Sequence, residues 1–330
     1  MNRWVLGVGL LLATVVSVLL GVRLGSVPLT TVEVLGALRG GGDPVVRDIV
    51  VQLRLPRVLL GVLVGGGLAI AGATFQALLR NPLAEPYILG ISGGASVGAV
   101  LVLAFGWVAA GSWALPIAAF AGALLAIVLV FRVATATGRA MDVRVLLLAG
   151  VVVAAFFSAC IAFILSISPA RTVQSAVLWI MGSLAGATWR GVFLTAVYTT
   201  PAVILLLGLA RPLNLLSIGE ETAHHLGADV ERVKRTALVV AALITASGVA
   251  VAGVIGFVGL VVPHAVRLLV GSDHRALLPL SFLAGAAFLT LADLAARLTL
   301  SPTEIPIGVI TAFVGVPFFL VLLRRSVATS

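Results

Sequence analysis

Ten apolar runs of roughly 15 to 24 residues follow one another along this chain of 330 residues, and no other feature limits its fold as strongly. Crossing the ~30 Å hydrocarbon layer takes about 20 apolar residues in a helix, because in lipid every backbone N–H and C=O must be bonded within the structure. The runs predict helices at about 4–22, 56–79, 88–108, 113–131, 145–167, 191–209, 236–254, 256–270, 279–296 and 306–323. The eighth is short for a full crossing and reads as partly re-entrant. Hydrophobic residues make up 61% and charged residues 10% of the chain, against about 45–50% and about 25% in soluble domains. A water-soluble fold is excluded. The expected fold class is an all-α polytopic membrane protein of about ten transmembrane helices, a single domain over residues 1–330. The first run follows Arg3, and Val22-Arg23-Leu24-Gly25 offers no small-x-small cleavage site, so it reads as a spanning helix rather than a removed signal.

Basic residues number 21 and acidic ones 12, a formal net charge of +9. In a chain this apolar the excess reads as loops held against a membrane, not as a nucleic-acid surface. Ten crossings put both termini on one side. With that side cytoplasmic, 13 basic residues fall inside, among them Arg3, Arg80, Arg132, Lys234, Arg235 and Arg275, and 21 minus 13 leaves 8 outside. Five of those eight are Arg23, Arg39, Arg47, Arg54 and Arg57, between the first two helices. In Arg54-Leu55-Pro56-Arg57 the proline is expected at the mouth of a helix, with both guanidinium groups at the membrane surface. Two uses fit them: anchoring lipid headgroups, or docking the carboxylates of an external partner, which guanidinium forks bind bidentately. Arg297 reaches the same outer face. Asp293, alone among the acids deep in an apolar run, has Arg297 one turn away and reads as its structural partner.

Several chemistries are absent from the sequence. Lys234 is the sole lysine and lies in no Gly-x-x-x-x-Gly-Lys-Ser/Thr string, so any ATP-driven work falls to another subunit. No paired carboxylates of the kind used for ion coupling lie within the helices. Cys160 stands alone, and the four histidines show no metal-ligand spacing. Gly90, Gly94 and Gly98 recur on one helix face, as do Gly61 and Gly65, which reads as close helix packing. Leu68–Gly72 and Val249–Gly253 share a pattern at an offset of 181, as do Pro82 and Pro263, an echo compatible with inverted repeats within about 1–190 and 191–330. The long polar stretch from Arg211 to Arg235 contains Ser217–Gly227, which reads as one short helix. Ser217 and Glu220 have capping-box spacing, and Gly227 is placed to stop it.

The strings Arg54-Leu-Pro-Arg57, Arg80-Asn-Pro-Leu-Ala-Glu-Pro86, Leu89-Gly-Ile-Ser-Gly-Gly94 and Trp179-Ile-Met-Gly-Ser-Leu184 then take on a shared meaning. With Gly256-Phe-Val-Gly-Leu-Val-Val-Pro-His264, Asp273-His-Arg275, Asp293 with Arg297, and Glu304-Ile-Pro-Ile-Gly308, they resemble the FecCD-like, or BtuC-like, permease subunits of type II ABC importers. The resemblance implies a subunit that pairs with a second copy of itself around a path on the dimer axis. It implies two cytoplasmic ABC ATPase subunits that bind ATP and Mg, this chain holding no cofactor or metal and having no catalytic site of its own. It also implies a periplasmic or lipid-anchored substrate-binding protein, a bacterial cytoplasmic (inner) membrane with both termini cytoplasmic, contact with membrane lipid, and no nucleic-acid partner. By matched position, Arg54, Arg57 and Arg297 would dock the binding protein. Ser217, Gly219, Glu220, Glu221, Ala223, Leu226 and Gly227, within about 215–228, would form the coupling helix on the ATPase. Asn81 and Leu83 would belong to the cytoplasmic gate, whose second layer would fall near Met141-Asp142, where the small hydroxyl pair of the vitamin B12 permease is missing. The cargo expected is an iron–siderophore complex, with haem or cobalamin as alternatives. The competing class is an ion-coupled secondary transporter.

Overall fold

The computed structural model describes residues 3–107, 113–135 and 142–328, and among these the regular structure is entirely helical. The chain enters through α1 (Arg3–Arg23), then two short helices, α2 (Thr31–Leu38) and α3 (Pro44–Asp48). A π-helical turn, Ile49–Arg54, leads into α4 (Leu55–Leu78). A 3-10 turn, Pro86–Leu89, precedes α5 (Ile91–Ala104), which is followed by α6 (Ala114–Thr135) and α7 (Val143–Ser166). Next come α8 (Ala170–Ile180), α9 (Trp189–Gly208), α10 (Ala210–Ile218) and α11 (Glu220–His225). The chain closes with α12 (Val230–Ala252), α13 (Val258–Val270), α14 (His274–Leu298) and α15 (Ile307–Ala328).

Each of the ten apolar runs is a helix. Seven helical stretches are long and apolar enough to cross a membrane, and α5, α13 and the apolar part of α15 are shorter. At ~1.5 Å per residue, the 13 residues of α13 reach only ~20 Å. That is short of the ~30 Å hydrocarbon layer.

α4 is the central element. In its most apolar window 83% of residues are buried within the protein, whereas α1, α6, α7 and α9 bury only 22–33% and turn apolar side chains outward. Glycine sets how closely the neighbours approach. A Cβ on Gly65 would lie 2.3 Å from the Gly285 carbonyl oxygen of α14, and one on Gly72 would lie 1.9 Å from that of Gly259 in α13. Gly94 and Gly98 meet the Gly122 and Ala118 carbonyls of α6 in the same way, so the glycine stripes are packing surfaces.

Two local expectations are corrected. Pro56 does not open a helix, because the helical path already begins at Pro44, where Asp43 accepts from Val45 N–H as N-cap. The π turn accommodates Pro56 without a break: Leu55 N–H bonds the Val50 carbonyl, five residues back, in the wider spacing of that turn. The Ser217–Glu220 capping box is not formed either. Ser217 Oγ donates back to the Leu213 carbonyl at 2.9 Å inside α10, and Gly219 breaks the expected single helix in two. Its φ of +146° is a conformation that favours glycine. The stop at Gly227 does form, with φ +83° and Ala228 N–H on the Ala223 carbonyl.

Candidate functional site

Ion pairs among the described residues gather at two ends of the helix bundle, named outer and inner after the expected orientation. Arg54, Arg57, Asp293, Arg297 and Glu304 meet at the outer end. Arg80, Glu220 and Lys234 meet at the inner end, as do Arg3 and Asp273.

The outer cluster begins with a helix terminus. The last carbonyls of α1 have no partners within the helix and carry the negative end of its dipole. Arg54 donates to the carbonyls of Val22 (3.1 Å), Arg23 (2.6 Å) and Val27, and Arg297 donates to Gly21 and Leu24 at 3.3 Å. Gly25 leaves room for this: a Cβ there would lie 2.9 Å from the Arg54 guanidinium. Arg57 sits between two carboxylates. Its Nε and Nη2 donate to Asp293 at 3.0 and 2.8 Å, and its Nη1 and Nη2 reach Glu304 at 2.9 and 2.8 Å. Asp293 also pairs with Arg297 Nε at 3.1 Å, the one-turn pair read from the sequence.

The three arginines expected as outward forks are thus spent internally, and Arg54 and Arg297 are buried. Desolvated guanidinium groups persist where fixed carbonyls and carboxylates replace water. Glu304 is the member that faces solvent, its side chain 38% exposed. The Arg57 guanidinium holds the Glu304 carboxyl below its usual range.

At the inner end the residues assigned to gate and coupling segment are brought together. Asn81 Oδ1 accepts from Leu83 N–H at 2.9 Å, which fixes the turn and leaves Leu83 exposed. Arg80, just before it, adopts φ +46° and reaches Glu220 Oε1 at 3.2 Å. Glu220 Oε2 accepts from Lys234 Nζ at 2.9 Å, and Lys234 also pairs with Glu231. Arg267 donates to Gln76 Oε1 at 2.8 Å near the end of α4. One carboxylate, that of Glu220, thus links the start of α11 to Arg80 beside the Asn81–Leu83 turn. Ala223 is buried, whereas Glu221 and Leu226 are exposed, as is Ile218 at the end of α10. Asp142 caps α7 through Arg144 N–H, and Met141 lies outside the described residues.

Also at this end, Asp273 accepts from Asn214 Nδ2 at 2.9 Å, from Arg275 N–H, and from Arg3 at 2.7 Å. The Asn214 bond, followed by those from Arg275 and Arg3, holds its carboxyl down at about 2, from an ordinary 3.8. A depressed carboxyl adds stability that is present above about pH 4 and disappears as pH falls toward 2. Thermal unfolding between pH 5 and 2.5 is expected to show a steeper loss for the native chain than for Asp273→Asn. Parallel curves would contradict this.

Between the two ends, three helix breaks meet. α12 stops at Gly253 (φ +69°), residues 254–257 run unwound, and Phe257 restarts α13 with φ +68°. The freed backbone groups find partners in neighbouring breaks: Ser183 N–H on Ala252, Ile307 N–H on Gly182 and Gly308 N–H on Met181. Tyr87 Oη donates to the Ile255 carbonyl, and Glu85 accepts from Phe257 N–H at 2.8 Å. Beside these breaks opens an apolar recess of about 600 Å³, lined by Met181, Val254, Phe257, Val309 and Phe313 among others. Unwound backbone at membrane depth is found where it is buried or lines a cavity. Among the described residues no group of three or more His, Cys, Asp or Glu could hold a metal ion.

Sequence reading missed the roles of Glu304, Glu85, Arg80 and Lys234. Glu304 had a signal, an acid seven residues past Arg297 in the same outer loop. The rest depend on tertiary proximity across 14 to 172 positions and leave no local pattern.

A multi-pass helical membrane protein with a sealed charged cluster at one end, a jointed polar segment at the other and broken helices around an apolar recess has the anatomy of a transport permease. The chain belongs to the FecCD transport family, whose model matches residues 12–325. It is 46% identical over 297 residues to the cobalamin import system permease protein of Halobacterium salinarum, covering 90% of this chain and 79% of that one. It is 41% identical over 285 residues to the hemin transport system permease protein of Yersinia pestis, covering 83% and 82% of the two chains. Among solved structures, an inward-facing metal-chelate type ABC transporter superposes with a TM-score of 0.86 at 33% identity, over 97% of this chain and 98% of that one. The protein is an ABC importer permease of this family.

Proposed function

We propose that this chain, paired with a second copy, forms the path by which an ATP-driven importer moves a tetrapyrrole metal chelate, cobalamin or haem, through the cytoplasmic membrane. The apolar recess at the helix breaks carries the reading. It is open on one side, its wall on α15 continues onto exposed Phe313, Val314 and Val316, and a second copy would close it. A wall without charged side chains offers no ligand to a metal and no fork to a carboxylate. It suits passage of a bulky cargo whose affinity resides in a separate binding protein. Relatives named for cobalamin and hemin favour a tetrapyrrole over the ferric siderophore expected from the sequence.

Two ATPase subunits would receive the exposed faces of α10 and α11, with both chain termini on that cytoplasmic side. ATP closure would move α11, and the Glu220–Arg80 link would pass the motion to the Asn81–Leu83 turn. A binding protein would dock at the opposite end. There Arg57 is the arginine with a solvent-facing partner, so docking would engage Glu304 and Arg57 together, with Arg54 and Arg297 holding α1 in place.

Gentle purification of the tagged permease from native membranes, followed by mass spectrometry of what accompanies it, tests the reading. An ATPase and a binding protein loaded with a corrinoid or haem are expected. A binding protein loaded with a ferric siderophore would overturn the cargo, and recovery without any ATPase would overturn the importer.

A further inference from the structure

We propose that the groove between α6 and α12, at the end of the bundle that carries α11, is a binding site for one anionic phospholipid. The groove encloses about 510 Å³ and divides sharply by chemistry. On α12, Glu231, Arg235, Val239 and Leu243 line it at intervals of four, so one helix face runs from charged at the membrane boundary to apolar within the layer. On α6 the order is mirrored: Val128 lies deeper, and Arg132 lies one turn nearer the boundary. Two exposed guanidinium groups thus stand over a greasy slot that opens to lipid, since Val128 and Val239 are exposed within spanning helices.

Among the described residues neither Arg132 nor Arg235 makes an ion pair, and the nearby Glu231 carboxylate is engaged by Lys234 at 2.8 Å. A phosphodiester supplies the missing negative charge at the boundary, and its acyl chain fills the apolar slot. Basic pockets between helices at a membrane face select anionic headgroups in this way. A second groove, between α1 and α14, has a similar volume and carries Arg3 and Arg275, but there Arg3 is already paired with Asp273 at 2.7 Å. The unpaired arginines single out the α6–α12 groove.

Native mass spectrometry of the full chain in detergent, offered phosphatidylglycerol and phosphatidylcholine with matched acyl chains, tests the site. The native protein is expected to retain one phosphatidylglycerol preferentially. Arg132→Gln with Arg235→Gln should reduce that retention by about 30-fold, as expected for two cations at a membrane surface, and leave phosphatidylcholine unaffected. Val239→Trp, which blocks the slot with both charges intact, should also remove the bound lipid. Equal retention of the two lipids, or undiminished phosphatidylglycerol in either variant, would overturn the proposal. Displacement of the lipid by soluble sn-glycerol 3-phosphate would overturn it too, because the site would then be a phosphate site without a lipid slot.

Discussion

Asp293→Ala is expected to cost ~3–5 kcal/mol of stability, the usual penalty for leaving buried charge without its counter-ion. The Asp293 side chain is 3% exposed and lies against Arg57 and Arg297, themselves 11% and 5% exposed. Without it, Arg297 keeps three long bonds to carbonyls but no anion, and Arg57 keeps only Glu304. The consequence extends to α1, whose C-terminal carbonyls are held by Arg297 and Arg54. Size-exclusion profiles after a temperature series in detergent would show the Asp293→Ala protein aggregating well below the native chain. The half-exposed partner behaves differently: Glu304→Gln is expected to change stability by about 1 kcal/mol or less. Equal losses from the two variants would show that the cluster is not organised around Asp293.

Leu226→Glu is expected to weaken ATPase association by about 10- to 100-fold with little change in thermal stability. Leu226 is 62% exposed and Ile218 is 70% exposed, and the two flank α11 in the polar stretch between the candidate spans α9 and α12. Burying one such side chain against a partner contributes ~1.5–3 kcal/mol, and a carboxylate there would carry its charge into the contact. Glu220 is a poorer probe, because its loss also releases Arg80 and Lys234. Capture of the ATPase from solution by immobilised permease checks the prediction. Undiminished capture with Leu226→Glu would remove α11 from the coupling surface.

The spanning helices were legible because lipid imposes one rule on backbone and side chain alike, so composition and run length suffice. The short helices were not, for contrasting reasons. α2 announces itself through Thr30-x-x-Glu33, where both reciprocal bonds form, Glu33 N–H on Thr30 and Thr30 N–H on Glu33. Ser217-x-x-Glu220 has the same spacing, yet its glutamate is drawn to Arg80 and Lys234 and its serine back into α10. A capping box is a local option, and a buried lysine fourteen residues away outbid it. The outer arginines show the same limit. Their grouping was visible, but their direction was not, because the unsatisfied carbonyls of α1 that claim Arg54 and Arg297 belong to a different stretch of chain. Glycine packing was legible from spacing at Gly65, Gly94 and Gly98, where an added Cβ would lie only 2.0–2.3 Å from a facing carbonyl oxygen, whereas Gly90 precedes α5 in a left-handed conformation and is not part of its face.

Cargo movement through this permease is expected only when partner subunits hydrolyse ATP. Proteoliposomes containing the permease, its ATPase and its loaded binding protein measure it directly, with uptake of cobalamin or haem followed in the presence and absence of ATP. Uptake that requires ATP and ceases when the ATPase is omitted is the predicted result. Uptake by the permease alone, driven by a proton or sodium gradient, would contradict the account and make this chain a secondary transporter.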